Sequence, residues 1–341
     1  VASIDGHEMI IVAKDGTYTR PLGARALAVY AAERYDVLVA ASRTPGDYVI
    51  SFAAYPHDVG SRYIPAVVEG HVNATLRVLP RENDANHGGD LHGDTGVNPN
   101  ATAAPADARA ASAASPYSRG SVPWFHEIDM GSNVTLLRSD TARTPTPPQA
   151  ASRQIPFVIS AEYPYVMENG TVHDDYPAAD QRVAWRANNN TWLDPTVPLY
   201  VSKGAYGLST REHFRTLVYD IAFGEVVDLV VVNDNHGVAL VYHTLHLHGY
   251  KFWLIGQGPL PYPRRHDTDY HDVRDLNLDD PLYLDSLPVR GGRYYILRVV
   301  FDNPGMWHFH CHLLFHMGLG LQSVFNVAEE LQPEPPPSYF R

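Results

Sequence analysis

A single cysteine in 341 residues excludes an intrachain disulfide, so Cys311 is free to serve as a ligand. No run approaches the roughly 18 to 20 uninterrupted apolar residues that span a bilayer, so no membrane span is expected. Basic residues are scarce beside acidic ones, 26 against 38, and the net charge of −12 argues against nucleic acid or another polyanion as partner. Small neutral or cationic substrates suit that surface better. Nothing at Val1 reads as a signal peptide. Five Asn-x-Ser/Thr sequons nevertheless occur, at Asn73, Asn100, Asn133, Asn169 and Asn189, and together they favour a secreted, extracellular or lumenal glycoprotein whose targeting segment lies outside this chain.

Helix signals are also thin. Short segments that alternate or run apolar recur instead between turn residues such as Lys14-Asp15-Gly16 and Thr44-Pro45-Gly46. Strands are expected at 26–30, 35–41, 47–52, 72–79, 157–160, 182–186, 215–221, 226–232, 251–256, 293–301 and 321–327, with a turn or two of helix near 313–317. The fold class is all-β, in two β-sandwich units. Residues 81–121 are crowded with Ala, Asn, Asp, Gly, Ser and Pro and read as a low-complexity linker or insertion, because such a stretch cannot bury enough apolar surface to offset its ordering entropy. Residues 123–137 are expected to give a strand to the second unit, within a domain spanning 122–341.

Two segments carry the chemistry. MWHFHCHLLFHMGLGL, at 306–321, sets the one cysteine among histidines, and YHTLHLHGYKF, at 242–252, supplies three more. Side chains in a strand alternate faces, so parity decides which residues share a side. If the two segments lie side by side in one sheet, His246, His248, His310 and His312 cluster on one face. His243 and Cys311 then meet on the other, where His316 folds back to complete a Cys-His-His set. Thiolate with two imidazoles suits a blue-copper electron-transfer site. Zinc in a closed tetrahedron would leave the remaining histidines idle, whereas copper accounts for all seven ligands. His308, two residues before His310, is placed beside the cluster or at the surface and not among the ligands.

The His-x-x-His-x-His-Gly pattern followed by a distant His-Cys-His-x-x-x-His resembles the last two copper motifs of the multicopper oxidases, the laccase, ascorbate oxidase and ferroxidase group. SIDGHEM at 3–9 and AERYDVLV at 32–39 resemble that family's second cupredoxin domain, so residues 1–80 read as a partial copy of it. ANNNTWLDPTVPL at 187–199 and DNPGMW at 302–307 resemble its third. The resemblance implies copper as cofactor, with His243, Cys311 and His316 on the type 1 ion, His246 on the type 2 ion, and His248, His310 and His312 on the type 3 pair. It also implies that Cys311, His310 and His312 form the electron path. Leu321 stands at the axial position and cannot coordinate, which implies a three-coordinate type 1 site of high potential.

Two departures follow. The family's two further His-x-His motifs are absent, so a second polypeptide carrying an N-terminal cupredoxin domain is expected to complete the histidine site. Leu314 occupies the place where an acid usually feeds protons, and the resemblance assigns no donor. The activity implied is laccase-like: one-electron oxidation of phenols or aromatic amines coupled to reduction of dioxygen to water. Ferroxidase activity, for which the aspartates at 264–285 speak, ascorbate oxidase-like activity, and a non-catalytic copper-binding fragment are the alternatives.

Overall fold

The computed structural model describes residues 1–41, 44–54, 70–79, 124–129, 136–162, 184–195, 197–201, 217–234, 242–260 and 276–336. The linker expected at 81–121, three sequons (Asn100, Asn133 and Asn169) and most of the aspartate-rich loop lie outside those residues. Asn73 and Asn189 are exposed. No described helix is long and apolar enough to cross a membrane. The chain divides into two compact units, the second beginning at Arg138 apart from a short excursion by Tyr30–Glu33.

The first unit is one sheet of β1 (Ala2–Ile4), β2 (Met9–Lys14), β3 (Thr17–Ala28), β4 (Tyr35–Val39), β5 (Gly46–Ala54), β6 (Gly70–Val78) and β7 (Trp124–Asp129). Its order is β4-β2-β3-β1-β5-β6, with β7 beside β3. Along β3 buried Thr17 and Thr19 alternate with exposed Tyr18 and Arg20, and the buried set changes parity to Leu22 and Ala24 past an irregularity in the ladder with β2. The expected strand near 123–137 therefore exists at 124–129, but it belongs to this sheet: β7 runs parallel to Gly23–Ala28. The physical reason is an edge left for another strand. β2 and β1 together line one edge of β3, and β7 takes the other: Gly23 and Ala24 pair with β2 on one side and with β7 on the other.

The second unit is a sandwich. One sheet has the order β10-β18-β17-β12-β15, from β10 (Val218–Ile221), β12 (Tyr242–Leu247), β15 (Ser286–Arg290), β17 (Gly305–Cys311) and β18 (Gln322–Val327). The other has the order β14-β13-β16-β11-β8-β9, from β8 (Arg153–Glu162), β9 (Ala184–Ala187), β11 (Glu225–Asn233), β13 (Phe252–Pro259), β14 (Leu282–Leu284) and β16 (Arg293–Phe301). Phe309 of β17 meets Phe157 of β8 with ring centroids 4.9 Å apart, and Phe325 of β18 meets Phe301 of β16 at 5.1 Å. The odd-numbered face of β17 is thus the core face. Its even-numbered face, with His308 and His310, looks outward.

Arg298 of β16 and Asp228 of β11 form a buried two-pronged ion pair, Nε to Oδ1 at 2.7 Å and Nη2 to Oδ2 at 2.8 Å, and Arg298 also donates to the Pro148 carbonyl. Planar matching of guanidinium and carboxylate satisfies both charges inside the sheet. The one turn of helix expected near 313–317 is α1 (Leu314–Gly318), whose only buried residue is His316.

Candidate metal centre

β12 and β17 are antiparallel neighbours with Leu245 opposite Cys311 and His246 opposite His310. That register sends His243 and Cys311 to the core face and His246, His248, His310 and His312 to the outer face. On the core side the Cys311 Sγ lies 3.7 Å from Nδ1 of His243 and 3.7 Å from Nδ1 of His316, and the two nitrogens are 3.0 Å apart. His243 and Cys311 are fully buried and His316 nearly so.

A metal ion fits that triangle. The in-plane point about 2.0 Å from both nitrogens falls about 2.1 Å from the sulfur, close to the bond lengths transition-metal ions take with imidazole and thiolate. The donor chemistry, one soft thiolate and two imidazoles, is what a blue-copper site uses. Burial pushes the Cys311 thiol up to about 12, with hydrogen bonds from the Leu313 and Thr244 backbones opposing it. Loading a metal therefore means displacing a proton from sulfur.

Backbone geometry holds the three ligands in place. Cys311 N–H donates to the Leu321 carbonyl, and Leu321 N–H donates to the His316 carbonyl, both at 3.1 Å. Leu321, fully buried, thereby ties the strand that carries the cysteine to the helix that carries His316. Gly320 makes this turn possible: its φ is +105°, and an added Cβ would strike the Thr191 side chain and lie 3.0 Å from the Trp192 nitrogen. Trp185 of β9 packs its ring 4.4 Å from His243 and 4.8 Å from His316, closing the pocket from the opposite sheet. Sequence reasoning missed Trp185, since nothing in AWRA announces a partner more than fifty residues away.

On the outer face His248 Nε2 and His310 Nε2 are 3.0 Å apart, and the ring of His246 lies 4.9 Å from His248, 5.8 Å from His310 and 5.6 Å from His312. His246 Nδ1 donates to the Asp285 carbonyl at 2.8 Å, and His310 Nδ1 donates to the Cys311 carbonyl at 3.0 Å. Each bond fixes the tautomer that leaves the Nε2 lone pair for a metal, as outer partners of ligating histidines commonly do. Burial, followed by the field of His308, pushes His310 down to about 3, and burial also lowers His248 and His308. These shifts favour the neutral, ligating form of each ring over the protonated one.

Parity thus places His243 and Cys311 on one face and His246, His248, His310 and His312 on the other, and His316, which parity does not assign, folds back from the helix to the first group. His308 lies beside the cluster, on the face of His310, as expected. It is half-buried, its ring stacks on His310 at 4.4 Å, and a ring nitrogen of His308 lies within 4.8 Å of one from each of His248 and His310. The signal was present, since His308 shares parity with His310.

Family models described as multicopper oxidase match residues 177–330 and 1–77, together more than half of the chain. Among curated relatives, laccase-11 of Arabidopsis thaliana is 26% identical across 98% of this chain and 57% of its own length. L-ascorbate oxidase of Cucurbita maxima is 24% identical across 96% of this chain and 51% of its own. The chain therefore spans about half the length of these relatives. Fet3p, a multicopper oxidase that functions in iron import, superposes with a TM-score of 0.62 at 19% identity, covering 98% of this chain and 54% of that one. The laccase from Botrytis aclada gives 0.60 at 19% identity, covering 99% and 51%. At such identities the likeness establishes the fold, a cupredoxin-like β-sandwich.

Proposed function

Because this chain belongs to the multicopper oxidase family, we propose that it is the electron-accepting half of a laccase-like oxidase, taking single electrons from phenols or aromatic amines for the reduction of dioxygen to water. The observation that carries this reading is the buried triangle of His243, Cys311 and His316, backed by four imidazoles on the other face of the same two strands. Copper, when bound, supplies reversible one-electron chemistry beside the thiolate and multi-electron chemistry among the imidazoles. His243, Cys311 and His316 would hold the first ion, and His246, His248, His310 and His312 the others, His246 as type 2 ligand and the rest as type 3 ligands.

The protein's own part is positioning and insulation. Cys311 stands between His310 and His312 in the chain, so its side chain connects to both by a few covalent bonds, and the His310 Nδ1–H to Cys311 carbonyl bond gives a second, shorter link. Trp185 and the sandwich core keep water from the thiolate. Leu314 and Phe315, exposed by 74% and 57%, flank His316 on α1 and offer an apolar landing surface for a planar donor.

Completion of the histidine site by two further His-x-His motifs from outside these 341 residues, on a second polypeptide, belongs to the same proposal, and the family resemblance that assigns four more histidines to that site supports it. Secretion and glycosylation, at Asn73 and Asn189 first because both are exposed, are supported by the sequons. The test is copper-loaded chain reconstituted with a partner of that kind, assayed for oxygen uptake with a diphenol and with ferrous ion. Faster diphenol turnover is expected. Preferential turnover of iron moves the assignment to a ferroxidase, and no uptake with either contradicts it.

A further inference from the structure

The outer face of β12 and β17 holds one imidazole for which the family resemblance has no task. His308 faces the same way as His310, two residues along, and the His248 backbone N–H donates to the His308 carbonyl at 2.9 Å, making His248 its cross-strand neighbour. Three rings from two adjacent strands are thereby brought to one spot. The Nε2 atoms of His248 and His310 are 3.0 Å apart, the His308 ring stacks on His310 with planes 26° apart, and the His248 and His308 centroids are separated by 5.6 Å.

From this geometry we propose that His248, His308 and His310 form a three-imidazole site for a divalent transition-metal ion, copper(II) foremost, complete within this chain. Among the described residues, one ring nitrogen from each of these three falls within 4.8 Å of the others, and His312 is not part of that group. The ring of His312 lies farther from His310, at 5.7 Å. His308 does not swing freely: its Nε2 donates to Gln322 Oε1 at 2.8 Å, and the Gln322 amide is oriented in turn by donating to the Met317 carbonyl at 2.7 Å. The position is also reachable, because His248 is exposed, His308 half-buried and His310 buried. Three protein nitrogens with one side open to solvent is the pattern of a metal site that keeps a position for water or substrate. Imidazole sets take copper, zinc and nickel, and copper(II) stands highest in the general affinity order. This site deepens the assignment of the histidine face and rests on that assignment for the choice of metal alone.

The test is a copper(II) titration of the metal-free chain without any partner, followed by visible absorption and electron paramagnetic resonance. One ion should produce the blue thiolate band, and a further ion should give a non-blue signal with nitrogen ligands. His308→Ala should weaken that non-blue ion at least about tenfold, the lower bound seen when even an indirect partner of a metal ligand is lost. His312→Ala should cost less than His308→Ala. The blue band, arising on the opposite face of the same strand, reports that each variant has folded, and His308→Asn repeats the test with a polar replacement. Equal affinity in the wild type and His308→Ala, or a larger loss in His312→Ala, overturns the assignment. A wild-type chain that lacks the blue band but binds the non-blue ion contradicts the laccase-like reading, and supports this one when His308→Ala still weakens that ion.

Discussion

Cys311 gains its character from where its strand ends. Full burial raises the thiol toward about 12, so the residue is an inert side chain until a metal displaces its proton. Alkylation of the folded, metal-free chain should accordingly be slow and become fast on unfolding, which a mass-resolved time course checks. Leu321 joins Cys311 and His316 through its backbone, and its side chain cannot ligate. Replacing it by methionine offers a thioether at the proposed axial position and should lower the reduction potential of the thiolate copper, since the axial ligand tunes such sites. A redox titration giving an unchanged potential would place that side chain away from the metal. His308 carries the lesson at this scale. Its parity was readable, but a histidine on a half-buried face counts as a neighbour until coordinates put its nitrogen beside two others.

Among the elements, period-two alternation made the faces of β12 and β17 legible, because any register that sets odd residues opposite odd ones separates the sulfur from the four even-numbered imidazoles; that Leu245 stands opposite Cys311 was not legible. The helix at 314–318 was legible too, and its consequence, His316 turned back toward the core face, followed from spacing. Partner choice over long separations was not. β7 reads WFHEID, a pattern any sheet edge could accept, and it pairs with β3. β15 contains Pro288, which reads against a strand, yet as the last strand of its sheet it has an unpaired side where a missing N–H costs nothing. The link between β17 and β18 depends on Gly320, where φ is +105° and a Cβ has no room. Gly320→Ala should cost about 1–3 kcal/mol of stability and distort the blue absorption. Denaturant unfolding with an unchanged midpoint would show that the turn tolerates a side chain.

At the scale of the molecule, β11 and β16 of the second unit are clamped together by the buried Arg298–Asp228 pair, on the face of their sheet opposite Phe301, with side chains 3% and 4% exposed. Asp228→Asn leaves a buried guanidinium without its counter-charge, and the expected loss is about 3–5 kcal/mol in chemical denaturation. Fold class was readable because alternating short strands dominate, whereas this pair was not, since seventy residues separate its members. Alkaline pH probes the same packing. Burial raises Tyr250 to about 12 and raises Tyr219, Tyr283 and Tyr295 as well. Between about pH 10, where unfolded tyrosine ionises, and the higher native values, the native state holds more protons than the unfolded state. The stability these groups contribute is therefore complete below about pH 10 and falls as the pH rises. Ultraviolet titration should show a fraction of the tyrosines ionising only as the fold is lost.

The most direct measurement is the visible spectrum of the metal-free chain during addition of copper(II), with Cys311→Ser titrated in parallel. One equivalent should generate an intense blue thiolate band in the wild type and none in the variant. A wild-type chain that binds copper without any such band, or a variant that keeps it, would contradict the placement of a copper ion among His243, Cys311 and His316.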